Sequence, residues 1–133
     1  WMFQLKNIGY IRSPYFTYGL LYFGGIIVST LITLVRHRKN YFYNSVGASG
    51  AVSAVIFTSI FFSPLDRIYF FAAIPIPGIV FALIYLVYSS YMSRRSKDNI
   101  NHDAHFAGAV FGFIFPAFIS FRLITHFIQS LSF

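Results

Sequence analysis

From Tyr15 to Val35 the chain carries no charged side chain, and its polar residues are a few hydroxyls and glycines. Roughly 20 such residues in helical form cross the hydrocarbon core of a bilayer. A backbone placed there must satisfy its own hydrogen bonds, which restricts it to helices or a closed barrel. Three further apolar stretches follow: Val46 to Phe62, Pro77 to Met92, and His102 to Phe121. With 57% hydrophobic and 10% charged residues, the chain lacks the polar shell of a soluble domain, about a quarter of which is normally charged. The expected fold is therefore all-α, a polytopic transmembrane helical bundle with about four membrane helices.

Several function classes drop out. There is no cysteine, which excludes disulfide scaffolds, thiolate metal sites and cysteine nucleophiles. The net charge of +7 sits in short clusters beside the apolar runs, as at membrane boundaries, so nucleic acid is not an expected partner. The third apolar region is broken by Pro75, Pro77 and Gly78. Ile68 to Ile76 is expected to be a re-entrant or interfacial lead-in, and Pro116 to bend the last span. Leu123 to Phe133 is too short to cross. No repeat or second domain appears, so residues 1–133 are read as one domain. Trp1-Met2-Phe3 resembles the tail of an apolar segment, and the chain is expected to be a fragment or a processed product.

Four alternating crossings place the loop with Arg36, Arg38 and Lys39 on the same face as the loop with Arg94, Arg95 and Lys97. Lys6, Arg12, Arg67 and Arg122 fall on the other face. Positive charge favours the cytoplasm, which would put the first face there.

Two ionisable or nucleophilic groups share that first face. Ser49 is the fourth residue of its run and His105 the fourth of its own, so at about 1.5 Å per residue they lie at similar depth. Gly47, Ala48, Gly50, Ala51 and Ala54 surround the serine, while Gly108 and Gly112 follow the histidine at i+3 and i+7. Small residues at such spacing let membrane helices pack closely. Taken alone they signify packing, and Ser29, Ser53 and Ser59 are expected only to bond back to their own helices. A histidine inside a span is a functional candidate by default, because its burial is costly. A neutral imidazole beside a hydroxyl can act as general base and then general acid. Of the three acids, Asp66 lies on the opposite face, Asp98 in a loop, and Asp103 two residues before His105, pointing off its stripe. The arrangement is thus a dyad. His102 and His105 could face one metal, but zinc sites take at least three protein ligands, so no metal is expected. His102 and Asp103 are expected to cap and hydrate the helix start, and His37 and His126 to rest in the interface.

Gly47-Ala48-Ser49-Gly50 on one helix and His105-Phe106-Ala107-Gly108-Ala109-Val110-Phe111-Gly112 on another resemble the rhomboid family of intramembrane serine proteases, with its GxSG and H-x-x-G-x-x-x-G motifs. The likeness covers nearly the whole chain. It implies a six-helix core whose third to sixth helices are present and whose first two are missing. It implies Ser49 as nucleophile, His105 as base and acid, and the Ser49 backbone N–H as part of an oxyanion hole. It also implies substrates that are transmembrane proteins, the bilayer as the other partner, no cofactor, and residence in a bacterial cytoplasmic membrane. The site would open to the extracytoplasmic side, against the charge count. Two departures stand out. The family's H-x-x-x-N motif is absent, and Ser53 occupies a position where relatives often stack an aromatic ring on the histidine, so another ring is expected to support His105. The alternative is a non-catalytic rhomboid-like membrane protein that binds transmembrane clients. A transporter fragment ranks below both, since only the Pro75–Gly78 break suits it.

Overall fold

A computed structural model describes residues 2–39, 48–70, 73–95 and 100–131. The first long helix, α2 (Pro14–His37), follows a short α1 (Met2–Asn7). Ser13 caps it by accepting from the Phe16 N–H at 3.4 Å, Pro14 needs no donor partner in the first turn, and Arg36 and His37 sit where the helix dipole favours cations. Beyond Pro14 in the first turn, only one narrow stripe of α2 is buried: Thr17, Leu21, Gly25, Ser29 and Thr33, each four residues from the last. The other faces are as apolar but lie bare, with Phe23 64% and Val35 70% exposed. A helix with small and hydroxyl residues inside and large apolar ones outside is built for lipid. Its hydroxyls turn inward, Ser29 to the Gly25 carbonyl at 2.7 Å and Thr33 to that of Ser29 at 2.8 Å.

Helix α3 (Ala48–Phe62) packs against both α2 and α5 (His102–Ile119), which also pack on each other. Three crossings of small residues hold it there. A Cβ on Gly108 would stand 2.6 Å from the Gly50 carbonyl carbon, and one on Gly112 2.6 Å from that of Ala54. A Cβ on Gly25 of α2 would stand 3.0 Å from Ala51 Cα. Side chains have no room at the first two points, so backbone meets backbone.

Pro116 lies inside α5 without ending it, and the helix runs on to Ile119. Proline cannot donate to the carbonyl four residues earlier. That carbonyl belongs to Gly112, and it accepts from the Thr58 hydroxyl of α3 at 2.6 Å. The close crossing thus supplies the donor that the proline withholds.

Three features add to the sequence reading. First, the expected lead-in to α4 contains two strands: β1 (Arg67–Phe70) and β2 (Ile74–Pro77) form an antiparallel hairpin, Arg67 opposite Pro77 and Ile68 opposite Ile76. Pro75 and Pro77 have no N–H to pair, which suits an edge strand. The hairpin closes onto the start of α4 (Gly78–Arg95) through Gly78 N–H to Asp66 carbonyl at 2.9 Å and Ile79 N–H to Pro64 carbonyl at 2.8 Å. Secondly, the C-terminal tail is a helix, α6 (Arg122–Leu131), folded back so that Phe127 stacks on Phe61 at 4.9 Å. Leu123 and Leu5 of α1 fill the same cluster.

Thirdly, among the described residues two helices, not four, have the length and composition to cross a membrane: α2 with 24 residues and α5 with 18. Helix α3 has 15, about 22 Å at 1.5 Å per residue, short of a hydrocarbon core of about 30 Å. Most of it is buried against its neighbours, while Val52 and Ile56 keep one face exposed. Helix α4 is interrupted by Tyr85, Tyr88, Ser89, Ser90, Tyr91 and Ser93 and ends in two arginines.

Candidate functional site

Ser49 is the second residue of α3 and His105 the fourth of α5, both partly buried. Their helices touch immediately beside them. Gly50 lies on Gly108, and a Cβ at Gly50 would be 3.0 Å from the Ala104 carbonyl oxygen, the residue before His105. Ser29 of α2 closes the same spot from the other side. The segments bearing the hydroxyl and the imidazole therefore meet at one end of the tightest crossing in the bundle. Gly47, the first glycine of the serine motif, lies outside the described residues, as do Asp98 and Lys97.

Helix α4 adds what the sequence left open. The Tyr85 ring lies nearly parallel to the His105 imidazole, 15° between planes and 6.3 Å between centroids. That separation falls in the range of offset stacking. The Tyr85 hydroxyl and the Ser53 hydroxyl are 2.7 Å apart, and Ser53 donates to the Ser49 carbonyl at 3.2 Å. One short path thus runs from the backbone of the serine to the ring of the histidine. The supporting ring comes from a third helix, and Phe57 and Phe81 brace it at 5.4 and 5.8 Å. Beside Tyr85 an apolar groove of about 540 Å³ is lined by Ile76, Phe81, Ile84 and Tyr88.

The other sequence-picked groups take different places from those expected. The cap of α5 is Asn101, not His102 or Asp103: its side-chain oxygen accepts from the Ala104 N–H at 3.0 Å, and its amide donates to Thr33 of α2 at 3.0 Å. His102 is 3% exposed, its ring edge-on to Tyr88 at 5.7 Å and to His105 at 6.2 Å, so it packs rather than hydrates. His37 is no interface filler, because its imidazole N–H donates to Asp103 Oδ2 at 2.8 Å. Arg36 Nη1 lies 2.7 Å from Asp103 Oδ1, and the Ser93 hydroxyl of α4 donates to the same oxygen at 2.6 Å. Asp103 does leave the histidine's stripe, but it turns inward, to a buried junction of three helices. Its partners are 66 residues away for His37 and only 10 for Ser93. A hint was present in α4, where Tyr85, Ser89 and Ser93 recur every fourth residue on one face.

Apolar helices joined through glycine, with a serine and a histidine from different helices at one end of the junction, define a membrane bundle with a candidate hydrolytic dyad. A rhomboid domain matches residues 14–122, from the first residue of α2 to the first of α6. The chain belongs to the rhomboid family and is an integral membrane protein. No curated protein and no solved structure matched it.

Proposed function

We propose that this protein is an intramembrane serine endopeptidase that cleaves peptide bonds in or next to transmembrane segments of other membrane proteins. The observation that carries this reading is the Gly50–Gly108 crossing, which brings the turns bearing Ser49 and His105 together. His105 takes the proton of the Ser49 hydroxyl as its oxygen attacks the scissile carbonyl. The Ser49 backbone N–H stabilises the oxyanion. Losing a donor of this kind typically costs about 100- to 1,000-fold in rate. His105 then gives its proton to the departing amine, leaving an acyl-serine. Water, deprotonated by His105, hydrolyses that ester and restores the hydroxyl.

In this reading α2 to α5 are four membrane segments corresponding to the family's third to sixth, with α3 and α4 completing a bundle anchored by α2 and α5. The site opens to the extracytoplasmic side of a bacterial cytoplasmic membrane, where water is at hand. The groove beside Tyr85 offers an apolar bed for an unwinding substrate segment. In the intact, membrane-inserted protein, Ser49→Ala and His105→Ala are each expected to abolish cleavage of a transmembrane reporter substrate. Undiminished cleavage by the serine variant would remove this nucleophile from consideration.

A second reading, a non-catalytic rhomboid-like protein that binds transmembrane clients, rests on the same family match. Under that reading the reporter is retained by the protein but left uncut, in wild type and variants alike.

A further inference from the structure

Asp103 is 6% exposed in a bundle otherwise short of charge. A carboxylate held out of water is expensive unless donors surround it, and a buried ion pair adds little net stability even when well made. Asp103 has three donors from two other helices: Arg36 and His37 at the end of α2, and Ser93 near the end of α4. The arginine is 47% exposed, so one end of the junction stays wet. The N-terminus of α5 already has its cap in Asn101 and its packing at Gly108. What the carboxylate adds is rotation and tilt. Two positions apart, the Asp103 and His105 side chains leave α5 about 200° apart. A tie at the first therefore fixes where the second points.

We propose that Asp103 is a positioning residue, which locks the first turn of α5 to α2 and α4 so that the His105 imidazole is held against Tyr85 and directed at Ser49. This rests on the dyad proposed above. The lock acts at both walls of the site. Ser93 lies two turns along the α4 face that carries Tyr85, so releasing Asp103 also frees the end of the helix whose ring backs the imidazole. Small misplacements of a catalytic group suffice for large losses, about 100-fold for 1 Å.

The test uses the intact protein in lipid bilayers, with Asp103→Asn, Asp103→Glu, Arg36→Gln and the Asp103→Asn/Arg36→Gln double variant. Two readouts are taken: kcat and KM on a transmembrane reporter, and the rate at which a fluorophosphonate probe labels Ser49. Asp103→Asn is expected to lower kcat and the labelling rate in parallel, by about 10- to 100-fold, with KM and thermal midpoint little changed. Arg36→Gln should fall in the same direction, the double variant should be no worse than Asp103→Asn, as for residues of one network, and Asp103→Glu should recover part of the loss. Wild-type labelling in Asp103→Asn, a change confined to KM, or a loss matched throughout by unfolding would overturn the lock. Absence of labelling in the wild type is a separate result: it removes the dyad, and the lock with it.

Discussion

Tyr85 and His105 face each other almost in parallel across the α4–α5 boundary, 15° and 6.3 Å apart, while the Tyr85 hydroxyl reaches Ser53 at 2.7 Å. The ring and the hydroxyl have separable duties. The ring restricts the imidazole, and the hydroxyl ties the ring to the serine-bearing helix. Tyr85→Phe keeps the first and loses the second, which is expected to cost only a few-fold in kcat. Tyr85→Ala loses both and should cost about 10- to 100-fold. Steady-state kinetics on a transmembrane reporter checks the order; equal losses would mean that the ring has no role of its own.

Gly108 is expected to tolerate no side chain. A Cβ there would stand 2.6 Å from the Gly50 carbonyl carbon, against backbone that cannot turn aside. Gly108→Ala should push α3 and α5 apart and destabilise the bundle by about 1–3 kcal/mol, typical of overpacking. Thermal unfolding in detergent measures this. Gly19, inside α2 where a Cβ meets nothing within 4 Å, is the matched control, and its alanine variant should be neutral to slightly stabilising.

Thr58 and Pro116 should be energetically coupled. Thr58→Val strands the Gly112 carbonyl in the interior, and an unsatisfied buried acceptor costs about 1–3 kcal/mol. Pro116→Ala restores an N–H four residues after Gly112, so Thr58→Val should cost less in that background. A double-mutant cycle by denaturation checks the sign; strict additivity would contradict the assignment.

The parts of this architecture written in local pattern could be read from the chain. Apolar runs gave the helices, and glycines at i+3 and i+7 from His105 pointed to the crossing, because membrane packing uses a small alphabet. The hairpin was hidden because Ile-Pro-Ile-Pro reads equally as a broken helix entry until its partner strand is known. Apolar length alone does not settle the number of spans: α3 is short and largely buried against its neighbours, and hydroxyl-bearing residues dilute the apolar run of α4. The Tyr85 ring and the Asp103 junction left only the four-residue recurrence of Tyr85, Ser89 and Ser93 as a local trace, which does not name their partners. Each depends on which face of a distant helix turns inward, and for His37 the partner is 66 positions away.

A Ser49 nucleophile activated by His105 should react with a serine-directed probe only while the histidine is present. The most direct measurement is fluorophosphonate labelling of the intact protein in bilayers, with the modified residue located by peptide mass spectrometry. A single adduct on Ser49 is expected in wild type and none in His105→Ala. An adduct elsewhere, or undiminished labelling of Ser49 after the histidine is removed, would contradict this expectation.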